Sequence, residues 1–453
     1  MSTTPITRLF DPLFTTDQAR EIFSDRARLQ GMLDFEAALA RALTVAGVAP
    51  AGVSSAIQAR CKAELFATDA LAREAALAGN LAIPLVKALT AAVVESDEKA
   101  AGFVHWGATS QDVIDTGLVL QLRAAFDAIA SQLAQLAGAL ARIADQHRST
   151  LLAGRTWLQQ ASPTTFGLKA AGWLDTINRH RARLAAARKQ ALVLQFGGAV
   201  GTLAALGTQG PAVARELAEE LKLELPSIPW HTHRDRFAEV ATSLGLLVGT
   251  LGKIARDVSL MAQTEVAEAL EPAAPGKGGS STLPHKRNPV GSAVVLAAAI
   301  RVPALVSTML AAMPQEHERG LGGWHAEWET LPEIFLLAAG ALSHTTQIVN
   351  GLEVHEEKMA RNLEATHGLI LAEAVAIALA KRMGRMSAHH LIEKASHQAL
   401  ESGRSLRDVL IEDKQVREHL APADIDNLLD TKNYTGLAES MIERVLADHK
   451  KQR

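Results

Sequence analysis

A chain of 453 residues, 48% hydrophobic and 21% charged, can bury an ample core spread over about two to four domains. Its formal net charge of −3 argues against a nucleic-acid binder that works through a general basic field. One cysteine, Cys61, excludes an intrachain disulfide and fits a reducing cytoplasm. The opening residues Met1 to Arg8 lack the apolar stretch of a signal peptide. The most membrane-like run, Val290 to Met313, is broken by Arg301 and Pro303. A soluble protein that buries this run inside a bundle is therefore expected. Aromatic residues are only 4%, and β-branched alternation is absent from the long runs, so the fold reads as all-α.

Residues 1–110 read as an N-terminal domain of shorter helices. Ser24-Asp25 precedes Leu29, Met32, Leu33, Phe35 and Leu39, one buried face of a helix. His105-Trp106-Gly107-Ala108-Thr109-Ser110-Gln111-Asp112 is a polar connector before a very long helix. Thr109 or Ser110 is a natural N-cap there, with Asp112 in the first turn, where the helix dipole favours a carboxylate. Capping leaves His105 and the second hydroxyl unexplained.

Residues 111–353 read as a central bundle of long helices. Val119, Leu122, Phe126, Ile129, Leu133, Leu136, Leu140 and Ile143 recur at spacings of three and four, beside an alanine seam from Ala130 to Ala144. The pattern returns from Val240 to Met261, with Ala241, Gly245, Gly249 and Gly252 as its small-residue seam. Glycine costs about 1 kcal/mol against alanine inside a helix, so repeated glycines point to close helix packing. The apolar surface exceeds what one small bundle needs, which implies a homo-oligomer. Between the two heptad stretches, Ser162-Pro163 reads as N-cap and first residue of a helix running to about Leu194. His231-x-His233 has no supporting Cys or acidic ligand at metal spacing, so no metal site is assigned.

The segment Gly278-Gly279-Ser280-Ser281-Thr282-Leu283-Pro284-His285-Lys286-Arg287-Asn288-Pro289 combines glycines, two hydroxyls, a lysine and an amide. Asn288-Pro289 reads as N-cap and first residue of the following helix. Gly276-Lys277-Gly278-Gly279 lacks the order of a phosphate-binding P-loop, and Ser280 lacks the setting of a nucleophile elbow. Glu316 to Trp328 looks like another site-lining connector, and residues 354–453 read as a charged C-terminal helical domain. Four polar connectors thus stand at ends of long helices, near His105, Thr156, Ser280 and Arg319. They offer hydroxyls, amides, histidines and cations but few carboxylates, a set suited to a small polyanion and proton transfer beside a carboxylate.

These motifs resemble the fumarase/aspartase superfamily over essentially the whole chain. Gly279 to Pro289 is similar to its signature loop, with Leu283 where methionine is usual; His105 to Asp112 and Gly154 to Thr165 are similar to its two other site regions. The resemblance implies a twenty-helix core in a homotetramer, with each site built from three subunits, and no cofactor or metal. It implies β-elimination or addition through an aci-carboxylate carbanion. By position Ser280 would carry the proton at carbon, with Ser281 as the neighbouring alternative, while Lys286 and Asn288 would stabilise the carboxylate. His105, Thr109, Ser110, Thr156, Trp157, Gln159, His317 and Arg319 would bind substrate.

One departure narrows the reaction. Many members place histidine in Gly-x-Thr-His-x-Gln as acid or base, whereas this chain has Trp157. A carboxylate, whose parent acid has a pKa near about 4, needs no proton delivered to it as nucleophile or leaving group. The missing histidine, with the Arg319 to Trp328 segment, resembles the branch that lactonises 3-carboxy-cis,cis-muconate, a small tricarboxylate. Rival readings are an adenylosuccinate-lyase-like enzyme and a non-catalytic, crystallin-like structural protein. Neither nucleic acid nor membrane is an expected partner.

Overall fold

The computed structural model describes residues 8–452, apart from Lys277, Ser280, Ser281 and Pro284. The fold is helical, as expected, and divides into two compact units that interleave along the chain. The first comprises residues 1–133, 180–252 and 294–343; the second comprises 134–179, 253–293 and 344–453.

In the first unit, α1 (Asp25–Val45) is capped by Ser24, whose hydroxyl accepts the Ala27 N–H at 3.2 Å. Its inner face is the expected one: Leu29, Met32, Leu33, Phe35 and Leu39 are buried. The long helix α2 spans Ser110–Gln146. It meets α1 backbone to backbone, because a Cβ at Gly31 would lie 2.7 Å from the Gly117 carbonyl oxygen. Only glycine permits that approach. Val119, Leu122, Phe126, Ile129 and Leu133 are buried along the same helix, as the heptad spacing predicts. Phe126 stands edge-on to Phe335 at 5.5 Å. The alanine seam divides: Ala137 and Ala144 are buried, while Ala130 and Ala134 are exposed.

The second heptad stretch is the helix α4 (Asp235–Met261), with α3 (Phe166–Ala191) before it and α5 (Val290–Ala311) after it. The apolar residues at the predicted spacing, Val240, Leu244, Leu247, Leu251, Ile254, Val258 and Met261, are all buried. Two of its glycines serve close packing, since a Cβ on Gly245 would sit 2.9 Å from Val306 and one on Gly252 would sit 2.7 Å from Ala299. Gly249 meets nothing within 4 Å and faces outward. By length and composition, α4 and α5 could each cross a membrane, yet they differ in cover. The most apolar window of α4 is 61% buried and that of α5 only 28%. The expectation that Val290 to Met313 is buried within the chain is thus corrected: Ala293, Ile300, Ala304 and Ala311, at helical spacing, form a bare apolar stripe. Arg301 on this helix pairs with Glu333 at 2.5 Å. The last long helix, α6 (Gly323–Asn350), contributes Leu331, Ile334, Phe335 and Leu342 to burial.

The second unit carries two short antiparallel ribbons that the all-α reading missed. Strand β1 (Leu151–Thr156) pairs with β2 (Gln159–Thr165), and β3 (Ala269–Leu270) pairs with β4 (Glu353–Val354). Ser162-Pro163 therefore lies in a strand rather than at a helix start. In a two-stranded ribbon Pro163 can sit on the open edge, where its lack of an N–H costs nothing. Helix α3 begins at Phe166 instead, with the Thr165 hydroxyl accepting the Leu168 N–H at 3.1 Å. Farther on, α7 (Glu356–Glu364), α8 (Ala372–Met383) and α9 (Arg385–Ser402) lead into a separate apolar cluster around Leu379, Leu391, Leu406 and Ile425.

Candidate active-site clusters

The first unit brings two predicted residues together from 210 positions apart. Helix α2 starts where expected, and Asp112 lies in its first turn, its carboxylate accepting the Thr109 N–H at 3.0 Å. The Thr109 hydroxyl is not consumed by capping. It accepts a hydrogen bond from Arg319 Nη1 at 2.8 Å, while Arg319 Nη2 donates to the Ala199 carbonyl at 2.8 Å. Both acceptors are neutral, and among the described residues no carboxylate pairs with Arg319. Ser110 is half-buried beside it at the same helix start.

His105 sits in the left-handed region, φ +58°, with its Nδ1 2.5 Å from Glu36 Oε1 and its N–H donating to Glu36 Oε2 at 3.1 Å. Burial alone would lower the imidazole's pKa, but the charge and hydrogen bond of buried Glu36 outweigh it, and the pKa is raised. His105 is thus held toward its cationic form. His317, at φ +49°, is tied through its backbone, its carbonyl accepting the Thr232 hydroxyl at 3.0 Å. Its ring is exposed, and no described contact brings it to Arg319.

Nearby, two charge networks are sealed from water. Asp112 accepts from His231 at 2.8 Å and from the Gly197 and Gly198 amides at 3.0 and 2.9 Å. Arg234 spans Asp115 at 2.7 Å and Glu327 at 2.5 Å, between the Trp230 and Phe237 rings, each 4.9 Å away. His233 is exposed while His231 is engaged by Asp112, so the two rings do not share a ligand position.

In the second unit, Thr156 and Gln159 pair across the turn Trp157-Leu158. Both turn residues have positive φ, +54° and +66°, the geometry a two-residue hairpin normally assigns to Asn-Gly. Trp157 is 97% exposed, so it does no packing within this chain. Gly154 is obligatory at the bulge, since a Cβ there would lie 2.6 Å from the Ser162 carbonyl oxygen. Next to Thr156, Arg155 clamps fully buried Glu268 through two bonds of 2.8 and 2.7 Å, and Asn362 donates to the same carboxylate at 2.8 Å. The ribbon is anchored one pair below its turn, and the turn residues themselves are exposed.

The glycine loop belongs to the second unit as well. Ser280 and Ser281, the proton-carrying candidates, lie outside the described residues. Its two ends are joined where the Asn288 N–H donates to the Gly278 carbonyl at 2.8 Å. Arg287 donates twice to Glu353, both at 2.8 Å, and once to the Glu271 carbonyl at 2.6 Å. The predicted cap at Asn288 is corrected: α5 starts at Val290, and Glu271 accepts from the Gly291 N–H at 3.0 Å and the Ser292 N–H at 2.7 Å. The carboxylate satisfies the positive helix end in place of the amide. Asn288 Nδ2 reaches only the Gly279 carbonyl, at 3.5 Å, and exposed Lys286 has no ion-pair partner among the described residues. Lys286 and Asn288 line a cavity of about 300 Å³ with Leu270, Gly278 and Gly279.

Sequence reasoning missed Glu36, Glu268 and Glu271, which set the state or direction of the expected groups. Each acts from far along the chain, and none sits in a local pattern that marks it.

Comparison with known proteins decides the ancestry of this arrangement. The family model described as Lyase matches residues 13–304, and one described as Adenylosuccinate lyase C-terminus matches 368–445. The chain belongs to the lyase family. It is 58% identical to a 3-carboxy-cis,cis-muconate cycloisomerase of Pseudomonas aeruginosa, over 99% of this chain and 98% of that one. Among solved structures, the 3-carboxy-cis,cis-muconate lactonizing enzyme from Pseudomonas putida matches with a TM-score of 0.94 and 56% identity, covering 98% of this chain and 99% of that one. The β-carboxy-cis,cis-muconate cycloisomerase from Acinetobacter calcoaceticus matches with a TM-score of 0.92 and 45% identity, covering 97% and 100%.

Proposed function

We propose that the protein is a 3-carboxy-cis,cis-muconate cycloisomerase that closes a carboxymuconolactone ring in aromatic catabolism. The observation that carries this reading is Arg319, a guanidinium aimed by two neutral acceptors and without a carboxylate partner among the described residues. It suits one carboxylate of a tricarboxylate substrate, and His105, its pKa raised by Glu36, is a second substrate contact. The relatives' names add the substrate class.

In the proposed reaction one substrate carboxylate oxygen bonds to carbon across the conjugated diene, and the displaced π electrons pass to the neighbouring acid as an aci-carboxylate. Lys286 and Asn288 stabilise that charge, and Ser280 delivers the proton to the adjacent carbon. The ionised substrate gains that one proton and otherwise keeps its atoms, Ser280 recovers a proton from solvent between turnovers, and no cofactor or metal is required. A carboxylate nucleophile needs no general acid, which agrees with a tryptophan at position 157. Thr156 and Gln159, flanking the tip, and Ser110 complete the substrate contacts.

The chain assembles as a homotetramer with each active site built from three subunits, and residues 1–110, 111–353 and 354–453 are its three domains. The bare stripe on α5 supports this reading, and the Arg301–Glu333 pair suits a protein interface better than lipid. The cytoplasm is the proposed compartment.

The test is spectroscopic. Purified protein mixed with 3-carboxy-cis,cis-muconate, without added metal, should abolish the ultraviolet absorbance of the conjugated diene. An unchanged spectrum, alongside fumarate release from adenylosuccinate, would replace this reading with the lyase alternative suggested by the 368–445 match. Silence with both substrates would leave the structural-protein reading.

A further inference from the structure

The two groups that grip Arg319 lie on different segments: Thr109 at the start of α2 and Ala199 in the glycine turn from Gln195 to Thr202. Both segments are fastened to a single carboxylate. Asp112 Oδ2 accepts the Thr109 N–H at 3.0 Å and the Gly198 N–H at 2.9 Å. Its Oδ1 accepts the Gly197 N–H at 3.0 Å, the His231 Nε2–H at 2.8 Å and, more weakly, the Gln195 Nε2–H at 3.4 Å; the ring nitrogen is the donor, because a carboxylate only accepts. The connector that carries Arg319 joins the same place through Thr232, next to His231, whose hydroxyl donates to the His317 carbonyl.

We infer that Asp112, with His231 as its nearest side-chain donor, is the positioning residue that aims Arg319 and keeps it free of an internal counter-ion. This rests on the assignment of Arg319 to a substrate carboxylate. Asp112 is completely buried and its four short bonds fill the acceptor sites of a carboxylate, so it has none left for Arg319. Three of the five donors are backbone amides with fixed direction, so the carboxylate sets where the helix start stands against the glycine turn. That turn cannot relax by gaining side chains. At Gly198, φ +67°, a Cβ would lie 2.9 Å from the Gly107 carbonyl oxygen, and at Gly197 it would lie 2.7 Å from Pro229. A buried acid that neutralised Arg319 would compete with the substrate, and the saturation of Asp112 removes that competition.

Asp112→Asn keeps the shape but turns part of the acceptor set into an NH2 group facing N–H donors. The full-length chain is assayed for diene loss as Asp112→Asn, Arg319→Gln, the double variant, His231→Leu and His231→Gln, the last keeping an N–H donor. Circular dichroism verifies the fold of each. Arg319→Gln should raise KM at least tenfold, and Asp112→Asn should do the same with a smaller change in kcat. In the Arg319→Gln background, Asp112→Asn should change kcat/KM less than threefold, because its effect runs through the arginine. His231→Leu should resemble Asp112→Asn, whereas His231→Gln should stay near the parent. If Asp112→Asn does not fold, the two His231 variants decide, each crossed with Arg319→Gln. Multiplicative losses would mean a general structural role and overturn the inference while sparing the assignment of Arg319. An unchanged KM in Arg319→Gln would overturn that assignment and the inference with it.

Discussion

Replacing Arg234 by methionine would strip the cation that bridges Asp115 and Glu327. All three side chains are at most 2% exposed. Breaking a buried ion pair from one side costs about 3–5 kcal/mol. Here two carboxylates lose the same partner and face each other, and the stacking of the guanidinium on Trp230 and Phe237 adds roughly 1–2 kcal/mol more. A loss of about 5 kcal/mol at pH 8 follows, comparable with the whole stability of many domains. The pH dependence is the sharper signature. Burial already holds the Glu327 pKa above its ordinary value, against the pull of Arg234. Without the arginine that rise grows, so the native state binds a proton that the unfolded state does not. Stability of the variant must then fall as pH rises and recover as pH drops toward 5. Urea unfolding of both proteins at pH 5 and pH 8, at one protein concentration, measures the gap. A gap below about 1 kcal/mol, or one equal at both pH values, would refute the argument.

Two further predictions come from the other unusual groups. The His105 pKa is raised by Glu36, so the pair contributes fully below the unfolded histidine value of about 6.5 and is lost as pH rises through the folded value. The advantage of wild type over Glu36→Gln in urea should therefore shrink between pH 6 and pH 9, and a constant difference would exclude the ion pair. At the hairpin tip, Leu158 occupies a left-handed conformation with its side chain 76% exposed. Leu158→Gly should relieve roughly 1 kcal/mol of backbone strain, read as a higher urea midpoint, and a lower midpoint would show that the leucine is held by contacts.

The long helices were legible because their packing is written at fixed intervals. From Val240 to Met261 the spacing of three and four names the buried face residue by residue. The site was legible in its residue types and not in its mechanics. Ser162-Pro163 is ambiguous by chemistry, since the proline that suits a helix start also suits a ribbon edge. The turn that reverses that ribbon uses Trp157 and Leu158, which carry no turn signature because their positive φ is imposed by the paired strands. Asn288-Pro289 misleads for another reason: the helix end it precedes is satisfied by Glu271, seventeen residues upstream of Asn288. Glu36 and His105 are 69 residues apart, and nothing local announces that they meet. Periodicity records what a helix buries; it does not record which distant acid sets the charge of a histidine.

The uncovered stripe on α5 also bears on the life of a newly made chain. Its 22 residues extend about 33 Å, at roughly 1.5 Å per residue, with most of the apolar window facing water. If copies of the chain cover that stripe, folding and association draw on one hydrophobic gain, and a lone subunit is the sticky intermediate. Dilution would then inactivate the enzyme by dissociation.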